Sequence, residues 1–165
     1  CVRLRNVENI DVPPTLVSFA VTTNKVQNIV SPEFKKAGNK VVFLPVIYDD
    51  DNLPKADALI KNFDVVTNAL KSGKAVSAYT VGLGGIAEAV MKMCFGNKLG
   101  FKYDDSVLVE DIFSYNYGGF VLETTSDIEG ATVIGTVTDN GAITLKDKQI
   151  DLIPFNVLRI CNVLL

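Results

Sequence analysis

The sequence predicts an α+β domain in which a mixed β-sheet is packed with α-helices. Its 165 residues are 48% hydrophobic and 21% charged, a balance typical of one globular domain that buries roughly 70% of its unfolded surface. Runs of strand type and amphipathic runs of helix type alternate along the first hundred residues, whereas strand patterns dominate the last third. No internal repeat divides the chain, so we expect a single domain over residues 1–165.

Two helices follow from apolar residues that recur at helical spacing. The first helix is predicted from Leu59, Phe63, Val66 and Leu70. The second is predicted from Ile86, Val90, Met93 and Cys94, with Glu88 and Lys92 as an outward-facing i, i+4 pair. Residues 31–34 predict a short helical turn capped by Ser31, and residues 152–165 predict a docking helix or part of a cut interface. Residues 107–113 fit a strand and a helix equally well.

The strands are predicted from short runs rich in β-branched and aromatic residues. A stiff Val12-Pro13-Pro14 segment leads into the first run, which is predicted to be buried. Pro45 marks the end of the second run because proline cannot donate to a ladder. Asp139-Asn140-Gly141 predicts a hairpin between the last two runs. The predicted strands cover residues 15–21, 41–47, 75–81, 99–103, 120–125, 132–137 and 142–145.

Composition excludes several classes of function. The net charge of −3 and the lack of a Lys/Arg stripe argue against a nucleic-acid partner. No apolar run approaches the roughly 20 residues that span a bilayer, so no membrane partner is expected. The three cysteines, Cys1, Cys94 and Cys161, are widely spaced and odd in number, which favours a reducing, cytoplasmic location over disulfides or a zinc site.

The chain contains no histidine. Nucleophile–histidine pairs, histidine-ligated metals and the commonest general base at neutral pH are therefore all excluded. Asp49, Asp50 and Asp51 lack the alternating spacing of a calcium loop and predict a solvated loop. We accordingly expect neither catalytic residues nor a metal site in this chain.

One segment could bind an anion. The predicted strand ending near Thr80 is followed by Gly82, Gly84 and Gly85 and then by a helix. A glycine turn that opens a helix presents backbone N–H groups and the positive end of the helix dipole, so these four residues are weak candidates for binding nucleotide or phosphate. Alternatively, the glycines only permit a sharp turn and close helix–strand packing.

Three blocks of sequence, in this order, resemble phosphoribosylformylglycinamidine synthase (FGAM synthase). They read VPPTLVSFA at residues 12–20, VSPEFKKAG at residues 30–38 and AYTVGLGGIAEAVMKM at residues 78–93. The resemblance covers roughly residues 10–145 and is specific to the C-terminal domain of the second half of that enzyme. The same kind of domain occurs in aminoimidazole ribonucleotide (AIR) synthetase.

The resemblance implies a PurM C-terminal-domain-like fold, excised from a longer multidomain chain; the missing initiator methionine points the same way. It implies an ATP-dependent ligase of de novo purine biosynthesis, which converts formylglycinamide ribonucleotide and glutamine to the amidine. ATP and Mg²⁺ are the implied cofactors of the full-length enzyme. The implied partners are an N-terminal AIR-synthase-like domain and a glutaminase domain of the same enzyme.

The chain departs from the family at the glycine turn, where the family reads His-Asp-x-Ser-Asp-Gly-Gly-Leu. Tyr79 and Thr80 stand at the positions of the histidine and first aspartate, and Gly82 and Leu83 at those of the serine and second aspartate. A threonine hydroxyl is a poor Mg²⁺ ligand. We therefore expect an architectural or auxiliary domain that is inactive alone and binds no cofactor firmly.

Two other interpretations stay open at this point. In one, carboxylates such as Glu88, Glu110 or Glu123 complete an active site, although such residues are more often surface charges. In the other, the chain is a stand-alone small-ligand-binding or interaction module without ligase activity.

Overall fold

The computed structural model describes residues 2–3 and 16–152. Nine strands and three α-helices are present in these ranges. The strands are β1 (Val2–Arg3), β2 (Leu16–Val17), β3 (Lys40–Leu44), β4 (Ala75–Thr80), β5 (Gly100–Tyr103), β6 (Phe120–Thr124), β7 (Thr132–Thr138), β8 (Ala142–Leu145) and β9 (Lys148–Asp151). The helices are α1 (Ala56–Lys71), α2 (Gly85–Phe95) and α3 (Val109–Ile112), and a 3₁₀ turn covers Val26–Asn28.

Seven strands form one mixed sheet in the order β4-β6-β3-β7-β5-β8-β9. Only the β5–β8 pair is parallel, and the other neighbours are antiparallel. Helix α1 packs on one face against Val42, Leu44 and Leu122. Helix α2 packs on the other face, where the larger core includes Phe34, Phe101 and Val121. The predicted α+β class and mixed sheet are therefore confirmed.

Both predicted helices exist, and the sheet covers one face of each. All four predicted stripe residues of α2 are buried, and Glu88 pairs with Lys92 on the outside. The buried side of α1 is formed by Asn62, Val66 and Ala69, whereas Phe63 lies at its exposed margin, edge-on to Phe120. Residues 109–112 of the ambiguous segment form the short helix α3.

Strand predictions were correct for the central sheet and wrong at the N-terminal side. Strand β3 ends at Leu44, immediately before Pro45, as expected. In the run predicted as a buried strand, only Leu16 and Val17 are paired, and residues 16–21 are exposed. This run fails to become a buried strand because no layer among the described residues covers it. Strand β9 was not predicted.

The predicted helical turn at residues 31–34 is also absent. Its N–H groups are used elsewhere, since Phe34 N–H donates to the Met93 carbonyl at 2.8 Å and Lys35 N–H donates to Glu123 Oε2 at 2.7 Å. Phe34 is thereby held in the core, stacked on Phe101 with ring centres 5.7 Å apart. Tertiary contacts thus override the local N-cap signal of Ser31.

The predicted hairpin at Asp139-Asn140-Gly141 is wrong, because β5 lies between β7 and β8. The connection is a turn that passes over the start of β5. A Cβ on Gly100 would lie 2.2 Å from Asn140 Oδ1 and 2.5 Å from the Ala142 carbonyl oxygen, so only glycine fits beneath it. The true hairpin of this region joins β8 and β9.

Some predictions lie outside the described residues. They concern Val12-Pro13-Pro14, Cys1, Cys161 and all but the first residue of the predicted helix over residues 152–165. Leu152 itself is buried, and its N–H donates to the Gly141 carbonyl at 3.1 Å. Cys94 is a free, buried thiol whose pKa is raised to about 12 by burial.

Glu123 contradicts the expectation of a surface charge, because it is 0% exposed on the central strand β6. Its Oε2 accepts from Lys35 N–H at 2.7 Å and Ser77 Oγ at 3.2 Å. Its Oε1 accepts from Lys36 N–H at 3.0 Å and Asn39 Nδ2 at 2.7 Å. Four donors compensate the burial of this carboxylate, which ties residues 35–39 and strand β4 to the middle of the sheet.

We predict that Glu123→Gln lowers the free energy of unfolding by about 2–4 kcal/mol, because the amide nitrogen faces donors that it cannot satisfy. Urea denaturation followed by circular dichroism measures the change. The control is Glu129→Gln at an exposed position, which we expect to stay within about 0.5 kcal/mol of the parent chain. Equal stability of the two variants would contradict a supporting role for Glu123.

Candidate functional site: the glycine turn before helix α2

The four predicted binding residues lie together at one end of the edge strand β4. Thr80 is the last residue of β4 and is exposed. Val81 is buried and donates its N–H to the Gly119 carbonyl at 3.0 Å, which aligns the turn with β6. Gly85 then begins α2, and its N–H donates to the Gly82 carbonyl at 3.2 Å. The predicted order of strand, glycine turn and helix is therefore correct.

Gly85 is required here for steric reasons. Its φ of +67° lies in the left-handed region, and a Cβ would come within 2.6 Å of the Ile112 carbonyl oxygen and 3.1 Å of the Ser114 carbonyl oxygen. The end of α3 thus packs directly on the glycine backbone. This contact supports the interpretation that the glycines serve close packing.

The N-terminus of α2 holds an anion supplied by the chain itself. Gly84 N–H donates to Glu88 Oε2 at 2.8 Å. A Cβ on Gly84 would lie 2.6 Å from Glu88 Cβ, and a Cβ on Gly82 would lie 3.1 Å from Glu88 Oε2. The glycines therefore make room for the Glu88 side chain, and its carboxylate lies at the positive end of the helix dipole.

Lys92 completes a charged pair on the same helix. Its ammonium donates to Glu88 Oε1 and lies 5.8 Å from the centre of the Tyr79 ring. The hydrogen bond from Lys92, followed by that from Gly84, lowers the pKa of Glu88. The Glu88 carboxylate, followed by the Tyr79 hydroxyl, raises the pKa of Lys92. Both groups are thus held in their charged forms at neutral pH.

The residues at this turn do not fit a nucleotide with Mg²⁺. Thr80 and Leu83 offer no carboxylate to a hard cation, and Gly84 N–H reaches an external phosphate only if Glu88 moves away. Within residues 2–3 and 16–152, no three cysteine, aspartate or glutamate side chains are grouped as a metal ion would require. Binding at Thr80, Gly82, Gly84 and Gly85 stays a prediction.

The other candidate carboxylates are not brought to the turn. Glu110 is exposed in α3, and Glu123 is buried beneath residues 35–39 with all its donors from the protein. The contact of Glu88 with the turn was not predicted from the sequence, where Glu88 was interpreted as an outward-facing partner of Lys92 or as an active-site carboxylate. Its position four residues after Gly84, in the first turn of a helix, is the signal that could have revealed it.

Tyr115 and Tyr117, which follow α3, form a cluster with Tyr48. The ring centres of Tyr48 and Tyr115 are 5.3 Å apart, and those of Tyr115 and Tyr117 are 4.9 Å apart. Tyr48 Oη donates to the Tyr117 carbonyl at 2.6 Å, which fixes the cluster to the loop after β3. Phe113, two residues before Tyr115, and Leu83 in the turn are both largely exposed.

No protein-family model matches this sequence. Solved structures do share its fold. PurL of Thermotoga maritima complexed with FGAR matches with a TM-score of 0.65 and 11% identity, over 79% of this chain and 30% of that chain. PurLQS from Thermotoga maritima matches with a TM-score of 0.64 and 12% identity, over 78% of this chain and 28% of that chain. Thermotoga maritima PurL complexed with AMPPCP matches with a TM-score of 0.64 and 12% identity, over 79% of this chain and 28% of that chain.

This chain has the PurM-like fold of those PurL chains. The predicted resemblance is therefore confirmed at the level of fold. The chain spans about 30% of the length of the PurL chains that it matches. Among the helices of residues 16–152, none has the length and apolar character that crossing a membrane requires.

We predict that Gly85→Ala is more damaging than Gly73→Ala. Both glycines have φ near +70°, but only Gly85 has backbone atoms where the Cβ would lie. The shared conformational cost is about 1–2 kcal/mol, and crowding against Ile112 adds about 1–3 kcal/mol for Gly85→Ala. Chemical denaturation of the two variants measures the difference, and equal losses would exclude the close packing of α3 as the reason for this glycine.

We predict that Glu88 makes stability depend on pH in the acid range. Its folded-state pKa lies below its usual value of 4.5, so the stabilisation is fully present above that value and is lost as the pH falls through the folded-state pKa. Thermal unfolding of the parent chain and of Glu88→Gln between pH 7 and pH 3 tests this. We expect the parent chain to melt higher at pH 7 and the two midpoints to converge toward pH 3. A constant difference across the range would contradict the assignment.

Proposed function

We propose that the chain is a single AIR-synthase-C-type domain, excised from a cytoplasmic FGAM synthase of de novo purine biosynthesis. The full-length ligase would use ATP and Mg²⁺ to convert formylglycinamide ribonucleotide and glutamine to the amidine. Its N-terminal AIR-synthase-like domain and its glutaminase domain would be the partners of this chain. Within that enzyme the chain is an architectural or auxiliary domain without activity of its own.

The observation that carries this proposal is that two separated sequence blocks meet in the structure. Phe34, from residues 30–38, donates its N–H to the Met93 carbonyl of residues 78–93, and Asn97 Nδ2 donates to the Phe34 carbonyl at 2.7 Å. Two of the three blocks on which the resemblance depends therefore build one piece of core around α2. The fold match to PurL chains supports the same assignment independently of sequence.

The architectural role is supported by how the polar groups near the turn are used. Glu123 has four protein donors, and Glu88 has Gly84 and Lys92. The carboxylate that lies at the turn, Glu88, is thus already hydrogen-bonded within the protein, and Thr80 and Leu83 supply no other. We infer that the turn keeps the backbone shape of an anion site, while an internal carboxylate takes the place of the ligand.

A second candidate function is a small-ligand-binding module. A cleft of about 420 Å³ lies between residues 32–33, Tyr79, Lys92 and Gly96. Because Lys92 and Tyr79 offer a cation beside an aromatic ring, a small anionic ligand would suit this cleft. The proposed ligase domain remains the better supported function, since Glu33 brings a second carboxylate to the cleft and Lys92 is already paired with Glu88.

We expect the longer polypeptide that contains this chain to form the amidine from formylglycinamide ribonucleotide, ATP, Mg²⁺ and an ammonia source. The 165-residue chain alone should neither form it nor hydrolyse ATP. Chromatographic detection of product, coupled to phosphate release, measures both activities. The Glu88→Ala chain is a useful control, since vacating the turn should not create turnover.

Hydrolysis of ATP by the isolated chain would contradict the architectural role and favour a domain with its own active site. Absence of amidine formation by the longer polypeptide would contradict the ligase assignment. In calorimetric titration of the longer polypeptide with ADP and Mg²⁺, a second metal-dependent nucleotide bound against Thr80 would contradict the proposed loss of the metal site.

A further inference from the structure

Residues 16–29 carry large apolar side chains that the domain leaves exposed. Phe19 is 76% exposed and Val21 is 85% exposed. We call residues 16–29 the arm. Its exposed large apolar residues are Leu16, Val17, Phe19, Val21, Val26 and Ile29. No charged residue occurs from Thr15 through Thr23. An uncharged apolar stretch of this size marks an interaction surface rather than a solvated linker.

The arm begins as part of a second sheet. Strand β2 pairs with β1 in antiparallel register, with Val2 opposite Val17 and Arg3 opposite Leu16, and this pair is separate from the seven-stranded sheet. Two strands of two residues are not stable alone in water. Beyond β2, Val17, Phe19 and Val21 alternate along the chain and would share one face of a longer strand. The arm therefore has the pattern of a strand whose neighbours and covering layer are incomplete.

The seven-stranded sheet does not supply what is missing. Between residues 18 and 29, the backbone hydrogen bonds of the described chain are local, from Asn28 to Lys25 and from Ile29 to Val26. Residues 23–28 lie beside Lys71 at the end of α1, where they line a polar cleft. The arm thus leaves the domain near that helix end without adding to either edge of the sheet.

We propose that residues 16–21 are a strand of a second β-sheet, completed by an uncharged sheet edge in the companion domain of the longer chain. This inference rests on the proposed function, which supplies such a domain. The matched PurL chains extend well beyond this domain, since the match covers 30% of the first of them. The partner edge is expected to pair through its backbone and to cover Val17, Phe19 and Val21 with apolar side chains.

Hydrogen–deuterium exchange of the peptide that covers residues 16–23 tests the inference. In the isolated 165-residue chain we expect these amides to exchange freely at every protein concentration. In the longer polypeptide we expect them to be protected by roughly 100-fold or more, as in a paired strand. A double variant, Phe19→Asp with Val21→Asp, should remove that protection while leaving the melting midpoint of the isolated chain unchanged.

Leu83→Asp is the matched control, because Leu83 is 88% exposed but lies outside the arm; it should leave protection of the arm intact. Free exchange of the arm in the longer polypeptide would overturn the inference. The inference would also be overturned if the arm of the isolated chain became protected as the protein concentration rises and light scattering detected a dimer. That result would assign the arm to contact with a second copy of the chain.

The amidine assay on the same longer polypeptide separates the two claims. Activity with an unprotected arm refutes the inference alone. A protected arm without activity refutes the proposed function alone.

Discussion

The buried carboxylate of Glu123 is the contact on which the rest of the domain depends. Strand β6 lies between β4 and β3, so a group on it reaches both neighbours. Through Ser77 it is tied to the edge strand, and through the amides of Lys35 and Lys36 it fixes the segment that carries Phe34 into the core. Phe34 in turn packs against the end of α2 and stacks on Phe101. The Glu123 side chain thereby sets the position of a loop, a strand and a helix, because each missing donor would add to the energetic cost of its burial.

The sequence predicted elements well where local pattern and burial agree, and poorly where a distant contact decides. The stripe of α2 is buried as expected because period and amphipathicity are local properties. The order of β7, β5 and β8 could not be predicted from the Asn-Gly turn, since a hairpin and a turn over an intervening strand share the same local signal. The turn can pass over β5 because Gly100, about forty residues earlier in the chain, leaves room for it. Glu123 was wrongly predicted to be a surface charge, because the residues next to it in the sequence do not reveal the distant groups that donate to it. The available clue was that Glu123 lies two residues after Val121 and so shares its buried face of the strand.

At the candidate site, too, the local structure could be predicted from the sequence, whereas a contact that depends on side-chain conformation could not. The strand, glycine turn and helix around Thr80, Gly82, Gly84 and Gly85 were predictable from residue types alone. The occupant of the turn was not, because it depends on the rotamer of Glu88 and on a backbone N–H that faces it. A helix N-terminus that would attract a phosphate is equally well satisfied by a carboxylate one turn further along. In this chain the Glu88 carboxylate lies at the positive end of α2, where an external anion would otherwise be favoured.

The buried polar groups and the exposed apolar residues of the domain differ in how completely they are partnered, and the proposed function offers one reason for both. Inside, the described side chains leave no buried polar atom without a hydrogen-bond partner. Outside, large apolar side chains stay exposed along the arm and, at the turn, at Leu83 and Phe113. A chain that evolved as an independent monomer gains nothing from exposing Phe19 and Val21, because their burial or replacement by polar residues would lower the tendency to aggregate. In the proposed larger enzyme the same residues would contact a companion domain, and the turn occupied by Glu88 would serve as a structural element. The proposed architectural role would thus account both for the described buried side chains, whose polar atoms all have partners, and for the exposed apolar residues of the arm.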